Sequence, residues 1–399
     1  MKRTVIFLPF DKKILRAALS SFLLVIILLT IAIYIPIPLD PFLDFQVLHR
    51  ADSGILHGIP LYDQAGQAQR VADELGVSVD KVLVLPFPYP PWYAVFTLPL
   101  ALLSIDIAVR MWFLLNIAML LASIWLLTDG WEPRKRLYSF IAAFLFLPIF
   151  GALIVGQYVF PTILGMALLV YALKHQRVGL VALGVALVTF KPHIGIFILL
   201  AVLVHLLLRH DDFGRRAFWW TALTGVFLFL VGFIADRAWP ITYFQSLFNF
   251  KNVSECEICV SLPLTIGRVF GLGFDQSAPV AGIILAGLVA SFIGSTLKGI
   301  YDNHRLGDEA SVAFFVCIPL LVNPYLLNYD FSFAIIPLFY LAGSAKSKID
   351  WLWIALIFVL PWVGLILFER AGNSVLLVCV LAMLSIILTR LYKKHTILP

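Results

Sequence analysis

Apolar runs of membrane-span length alternate with short polar turns along most of this chain, and that alternation limits the fold before any single residue is considered. In hydrocarbon every backbone amide must find its partner within the protein, and for runs of this length that leaves helices as the spanning element. With 399 residues, 61% of them hydrophobic and 13% charged, the chain holds more apolar sequence than a soluble core of its length buries. It reads as an all-α polytopic membrane protein. No internal repeat, low-complexity tract or soluble domain interrupts the pattern, so residues 1–399 are read as one transmembrane domain.

The first span is placed at residues 17–35. Residues 1–16 carry five cations, and no small-residue cleavage site follows, only Pro36-Ile37-Pro38, which predicts an uncleaved anchor with its N-terminus in the cytoplasm. Further spans are placed near 107–128, 137–153, 156–173, 178–190, 193–208, 217–235, 278–297, 309–323, 329–344, 350–368 and 373–391. That makes about twelve crossings, with the C-terminus also inside. The segment 91–104 is apolar, but at ~1.5 Å per residue it reaches only ~21 Å, short of a hydrocarbon core of ~30 Å. It also contains Pro99, and it is read as a partly embedded outer-leaflet helix.

With that choice, 20 of the 29 lysines and arginines fall on the inner side, although the outer loops are longer. The asymmetry is the positive-inside signature, and a basic surface meeting anionic membrane lipid accounts for the net charge of +6 with no nucleic-acid partner. A bacterial plasma membrane is the expected setting, with the polar chemistry outside the cytoplasm.

Two outer loops, about 36–90 and 236–276, are long enough to carry function. In the first, Asp40-Pro41 supplies an N-cap and a first-turn proline, which predicts a surface helix from 41 to about 57 with Asp44 in its first turn. A second short helix is predicted over 64–75, ended by Gly76. The stretch Pro86-Phe87-Pro88-Tyr89-Pro90-Pro91 must be extended, because residues before proline avoid the helical region.

The topology puts Asp44, Tyr89, Gln157, Lys191, His193, Arg268, Asn328, Tyr329 and Asp330 at one face, on hairpins far apart in sequence. Asp44 reads either as a helix-capping, solvated aspartate or as a general base kept ionised by the helix terminus. Lys191 and His193 read either as snorkelling and interfacial caps or, with Arg268, as a grip on a phosphate. Gln157, Asn328, Tyr329 and Asp330 sit in outer turns and serve either turn geometry or substrate. Asp106 and Arg110, at helical spacing, are expected to neutralise each other. Cys256 and Cys259 are expected as a loop disulfide or free thiols, and no metal site is expected, since Cys317 and Cys379 fall within spans. Asn252 fits a glycosylation acceptor, a feature that matters only in a eukaryotic secretory pathway.

Several absences narrow the chemistry. There is no phosphate-binding G-x-x-x-x-G-K-[ST] loop, Gly271-Leu-Gly273 lacks the third glycine of a dinucleotide fingerprint, and no D-x-D pair appears. The single E-x-E, Glu255-Cys-Glu257, lies in an outer loop where nucleotide donors are not expected. An enzyme working at this face would need a donor already in the lipid, and no cofactor is expected.

In order along the chain come Asp44-Phe45, Gly58-Ile-Pro60-Leu-Tyr62-Asp63, Tyr89-Pro90-Pro91, Gly156-Gln157 and Phe190-Lys191-Pro192. Ser261-Leu262 with Arg268 follows, then Asn323-Pro324-Tyr325 leading to Tyr329-Asp330. This ordered set, over residues 40–345, resembles glycosyltransferase family 87 of the GT-C superfamily. The resemblance implies a GT-C-type helical bundle with surface helices in its first outer loop. It also implies transfer of a sugar, typically mannose, from a polyprenyl-phosphate donor to an acceptor hydroxyl on a lipid or glycan, with inversion and without metal. Asp44 matches the family's first-loop aspartate, the catalytic base. Leu326-Leu327-Asn328 lacks the histidine of many relatives, a place His193 is expected to take, and the stretch 67–84 is longer than the pattern requires. The reading from another class is a secondary transporter or lipid flippase, which would need ionisable sites at the bilayer midplane and repeat symmetry.

Overall fold

A computed structural model of the chain describes residues 43–82, 84, 86–209, 211–253, 259–273, 279–285, 287, 308–323, 326–368 and 373–393. The span expected at 17–35, most of that at 278–297, and Cys256 lie outside the described residues. Among the described residues the regular structure is helical, with no strand.

Two helices precede the bundle, α1 (Leu43–Leu56) and α2 (Gln64–Leu75). The sequence of α2 sets its own limits. The Asp63 carboxylate accepts from the Gly66 amide at 3.0 Å, and Gly76 closes the helix at φ 64°, a conformation open to glycine without strain. After the extended stretch, α3 (Pro91–Thr97) tightens into a 3-10 turn, Leu98–Leu102. Pro99 explains the change, because it lacks the amide that would bond four residues back and its ring crowds that carbonyl. Pro91–Leu102 is too short to cross a ~30 Å hydrocarbon core.

The bundle begins with α4 (Ile105–Leu127), α5 (Pro133–Leu145), α6 (Leu147–Ile154) and α7 (Val159–Lys174). It continues through α8 (Val178–Val188), α9 (Pro192–Leu208), α10 (Asp212–Ala235), α11 (Trp239–Val253) and α12 (Leu262–Val269). The last elements are α13 (Asp308–Val322), α14 (Ile335–Gly343), α15 (Lys348–Phe368) and α16 (Ser374–Lys393). By length and composition, α4, α10 and α15 are each able to cross a membrane, and α5 with α6 makes a fourth if the bent pair is one span. The run expected as a single span over 137–153 is thus two helices meeting at 59°. Pro148, near the start of α6, cannot continue the ladder of α5. The remaining apolar helices are shorter, so helix length among the described residues supports three or four crossings where the sequence pattern gave about twelve.

Burial separates the centre of the bundle from its rim. α7 is buried on nearly every face, whereas α10 turns Trp219, Leu223, Phe227 and Leu230 outward and α15 exposes Ile366 and Phe368. Helices apolar on both their inner and outer faces belong in lipid. The α7 and α8 backbones approach closely: a Cβ at Gly165 would lie 2.8 Å from the Gly184 carbonyl oxygen. Small residues permit this approach, and dispersion between the backbones holds it. A second, smaller core of Phe45, Leu48, Tyr93, Trp112, Tyr158 and Phe190 seats α1 against α3 and α4, with the Phe45 ring stacked 5.6 Å from Trp112. That packing fixes where Asp44 points.

Candidate active site

Asp44 lies in the first turn of α1, half-buried, and its Oδ2 accepts a hydrogen bond from Gln157 Nε2 at 2.6 Å. Gln157 follows Gly156, whose φ of 66° makes the sharp turn between α6 and α7. Three further bonds pin this turn. Trp112 Nε1 donates to the Gly156 carbonyl at 2.8 Å, Asn116 Nδ2 to the Gln157 carbonyl at 3.3 Å, and the Tyr158 amide to Gln157 Oε1 at 3.1 Å. The last bond occupies the Gln157 oxygen, so it is the amide nitrogen that faces the carboxylate.

Beside this pair lies a buried ion pair. Lys191, the residue before α9, donates to Asp330 Oδ1, and both side chains are almost wholly buried, at 2% and 3% exposure. The other oxygen of Asp330 accepts from the Leu327 amide at 2.9 Å, so the carboxylate is held from both sides. The Lys191 ammonium lies 5.2 Å from the centre of the Tyr329 ring. Tyr89 closes the cluster, edge-on to Tyr158 at 4.8 Å, while Tyr62 donates its hydroxyl to the Tyr89 carbonyl at 2.7 Å.

The groups interact electrostatically. Burial raises the Asp44 carboxyl above its ordinary value, the Gln157 hydrogen bond and the Lys191 charge pull it back, and the Asp330 charge pushes it up again. A carboxyl whose pKa burial has raised is, when ionised, a stronger base than a solvated one. Burial, with the nearby charges of Asp44 and Asp330, pushes Tyr89 well above its ordinary value, so it stays a neutral donor.

The structure therefore brings together Asp44, Tyr89, Gln157, Lys191, Tyr329 and Asp330 from hairpins far apart in sequence, Lys191 and Asp330 alone being 139 residues apart. His193 joins from the first turn of α9. Its carbonyl accepts from Asn323 Nδ2 at 3.0 Å, and among the described residues its buried Nε2 has no hydrogen-bond partner. Two expected residues are placed differently. Asn328 is exposed and its side chain accepts from the next amide, that of Tyr329, at 2.8 Å, which is local turn chemistry. Arg268 is exposed on the last turn of α12, whereas the ion pair is buried. Cys259 is disulfide-bonded, and Cys317 and Cys379 are free and buried. Among the described residues no group of His, Cys, Asp or Glu is placed to hold a metal ion.

Some contributors were not singled out from the sequence. Asn116 is a polar residue inside the apolar run of α4, and such an intramembrane amide is itself a pointer to structure or function. Asp52 shares a helical face with Phe45 and Leu48, a pattern legible in the spacing. It is buried, and burial raises its carboxyl well above the ordinary value, with the Thr97 side chain pulling it back. Tyr62 stood in the sequence only as part of the Gly58–Asp63 run, with no role of its own, since its hydroxyl acts on a backbone atom 27 residues away.

Comparison with known proteins gives one match. The model of glycosyltransferase family 87 matches residues 87–324, a stretch that contains Tyr89, Gln157, Lys191, His193 and Arg268 and leaves Asp44 and Asp330 outside. No curated protein and no solved structure matches the chain.

Proposed function

The chain belongs to glycosyltransferase family 87, and from that premise we propose that it transfers a sugar, mannose foremost, from a polyprenyl-phosphate donor to a hydroxyl of a lipid or glycan acceptor outside the cytoplasm. The proposed architecture is a GT-C-type bundle of about twelve crossings in a bacterial plasma membrane, both termini inside, with α1 and α2 on the outer surface.

One observation carries the reading: a half-buried carboxylate, oriented by an amide and set beside a buried Lys–Asp pair, assembled from separate hairpins. In the proposed step Asp44 takes the acceptor hydroxyl proton as the oxygen bonds to the anomeric carbon. The bond from that carbon to the phosphate oxygen breaks, its electron pair leaves with the polyprenyl phosphate, and the configuration inverts. Lys191 carries three N–H groups, of which Asp330 takes one, and the idle Nε2 of His193 lies alongside. These two receive the leaving phosphate, whose growing charge they stabilise. Tyr89 and Tyr329 flank the sugar. Arg268 and Asn328, both exposed, are given no part in the proposed step.

Purified enzyme in liposomes tests the donor class. Label is expected to pass to lipid or glycan acceptor from polyprenyl-phosphate mannose and not from a nucleotide sugar, and transfer from the nucleotide sugar alone overturns the reading. A transporter reading draws on the same Lys191–Asp330 pair, because ionisable groups among apolar helices mark ion-coupled carriers. Membership of a glycosyltransferase family decides against it.

The pH profile is a separate check on the base. Asp44 works only when ionised, so kcat/KM falls as pH drops through its pKa, and burial places that acid limb above the ordinary carboxylate range. The Gln157 bond favours the ionised form. Gln157→Leu is therefore expected to move the limb to still higher pH. A limb that stays put would mean that Gln157 does not hold the working base.

A further inference from the structure

Next to Asp44, on the following turns of α1, lies a cavity of 160 Å³ that the proposed transfer step does not use. Four elements wall it: α1 through Val47, Arg50 and Ala51, α2 through Gln64 and Gln67, the extended stretch through Pro86 and Phe87, and α11 through Gln245 and Ser246. Val47 is three residues beyond Asp44, ~4.5 Å along the helix axis, and Ala51 ~10.5 Å. The wall is coupled to the site, because Phe87 packs edge-on to Tyr89 at 5.4 Å and Tyr62, which also lines the cavity, holds the Tyr89 carbonyl.

The chemistry of the lining is specific. Among the described residues that line it there is no carboxylate, the one charge is that of Arg50, which is exposed, and the other polar groups are amides and hydroxyls set against a proline and aromatic rings. Amides pair with vicinal hydroxyls in both directions, and aromatic faces suit the C–H face of a pyranose. The volume is below the ~300–1,000 Å³ of sites that enclose drug-sized ligands, which suits one ring of a larger molecule.

Gln67 is the second, independent observation. It is 4% exposed, and among the described residues neither its amide oxygen nor its nitrogen has a hydrogen-bond partner. The amide packs against α1 at Gly54: a Cβ there would lie 2.1 Å from Gln67 Nε2, so a larger residue would make the glutamine end shift. A buried amide without partners disfavours the fold. The terminal torsion of a glutamine is soft, so a small rotation turns this amide to a ligand in the cavity.

We propose that the cavity is a subsite for an uncharged, polyhydroxylated ring of the acceptor, adjoining the unit whose hydroxyl Asp44 deprotonates. This rests on the glycosyl-transfer reading above, and its test is separable from it. Full-length protein in nanodiscs carrying Ser246→Cys is labelled with a maleimide, the labelled peptide being identified by mass, in the presence of methyl α-mannopyranoside or of inorganic phosphate. The glycoside is expected to slow labelling, phosphate is not, and Gln67→Leu is expected to abolish the protection. Gln67→Leu folds at least as well as the parent, because it removes unpaired polar atoms. In the transfer assay it is expected to raise the acceptor KM about tenfold with kcat and donor KM little changed. No protection by the glycoside, protection that survives Gln67→Leu, or protection by phosphate alone overturns the subsite. Asp44→Asn keeps the protection while losing turnover; if it kept turnover, the base assignment would fall and the labelling result would stand.

Discussion

Asp44→Asn is expected to lower kcat by about 10²–10⁴-fold, the range a positioned general base contributes, with the folded structure intact. Asparagine has the same shape, and its oxygen can still accept from Gln157 Nε2, so the turn that Trp112 and Asn116 pin stays in place. It cannot take a proton from an alcohol. Stability is expected to hold or rise slightly, because burial raises the carboxyl and so disfavours the charged form that asparagine removes. Asp44→Glu is the complementary variant. The carboxylate survives but moves by a methylene out of the Gln157 bond, and a displacement near 1 Å costs roughly 10²-fold. Turnover of purified protein, with thermal unfolding as the fold control, reads both. Wild-type turnover in the asparagine variant would place the base elsewhere, and the nearest other carboxylate, Asp330, is committed to Lys191.

That Asp44 could be singled out from the sequence reflects how little local information a helical membrane site needs. A carboxylate in the first turn of a helix is ordinary by itself; the topology of short hairpins, which groups the tips that can reach it, and the family resemblance singled it out. The limits of α2 were legible locally, since Asp63 and Gly76 act within a few residues of themselves. The Lys191–Asp330 pair was not legible. Each residue alone reads as a headgroup contact or a turn, and their pairing across 139 residues follows from how α9 packs against α13 and the turn beyond it. Asn328 and Asp330 show the same point at close range. They differ by two positions in one 3-10 turn, and that rotation alone sends one carbonyl-bearing side chain outward and the other inward. The bend between α5 and α6 falls at Pro148, inside the apolar run placed as one span over 137–153. The number of crossings is hard to read from helix lengths because α7 and α8, buried among neighbours, need not match the bilayer.

Removing the lysine alone from the buried pair is expected to have the largest effect on stability. Lys191→Met leaves Asp330, 3% exposed, with its charge unpaired, and breaking a buried pair in this way costs ~3–5 kcal/mol. The double variant Lys191→Met with Asp330→Asn removes both charges together. Asparagine can still accept from the Leu327 amide, the second tie on that side chain, so the turn at 328–334 keeps its anchor. Replacing a buried ion pair by neutral groups is often neutral or stabilising, so the double variant is expected to recover most or all of the lost stability. Activity is expected to behave differently. If Lys191 receives the leaving phosphate, the double variant remains slow by about 10²–10³-fold, the cost of losing one donor to a developing anion. A thermal melt and a turnover assay on the same three proteins separate the two roles. Recovery of both stability and turnover would make the pair a structural clasp only, and the idle nitrogen of His193 would then be the remaining buried contact for the phosphate.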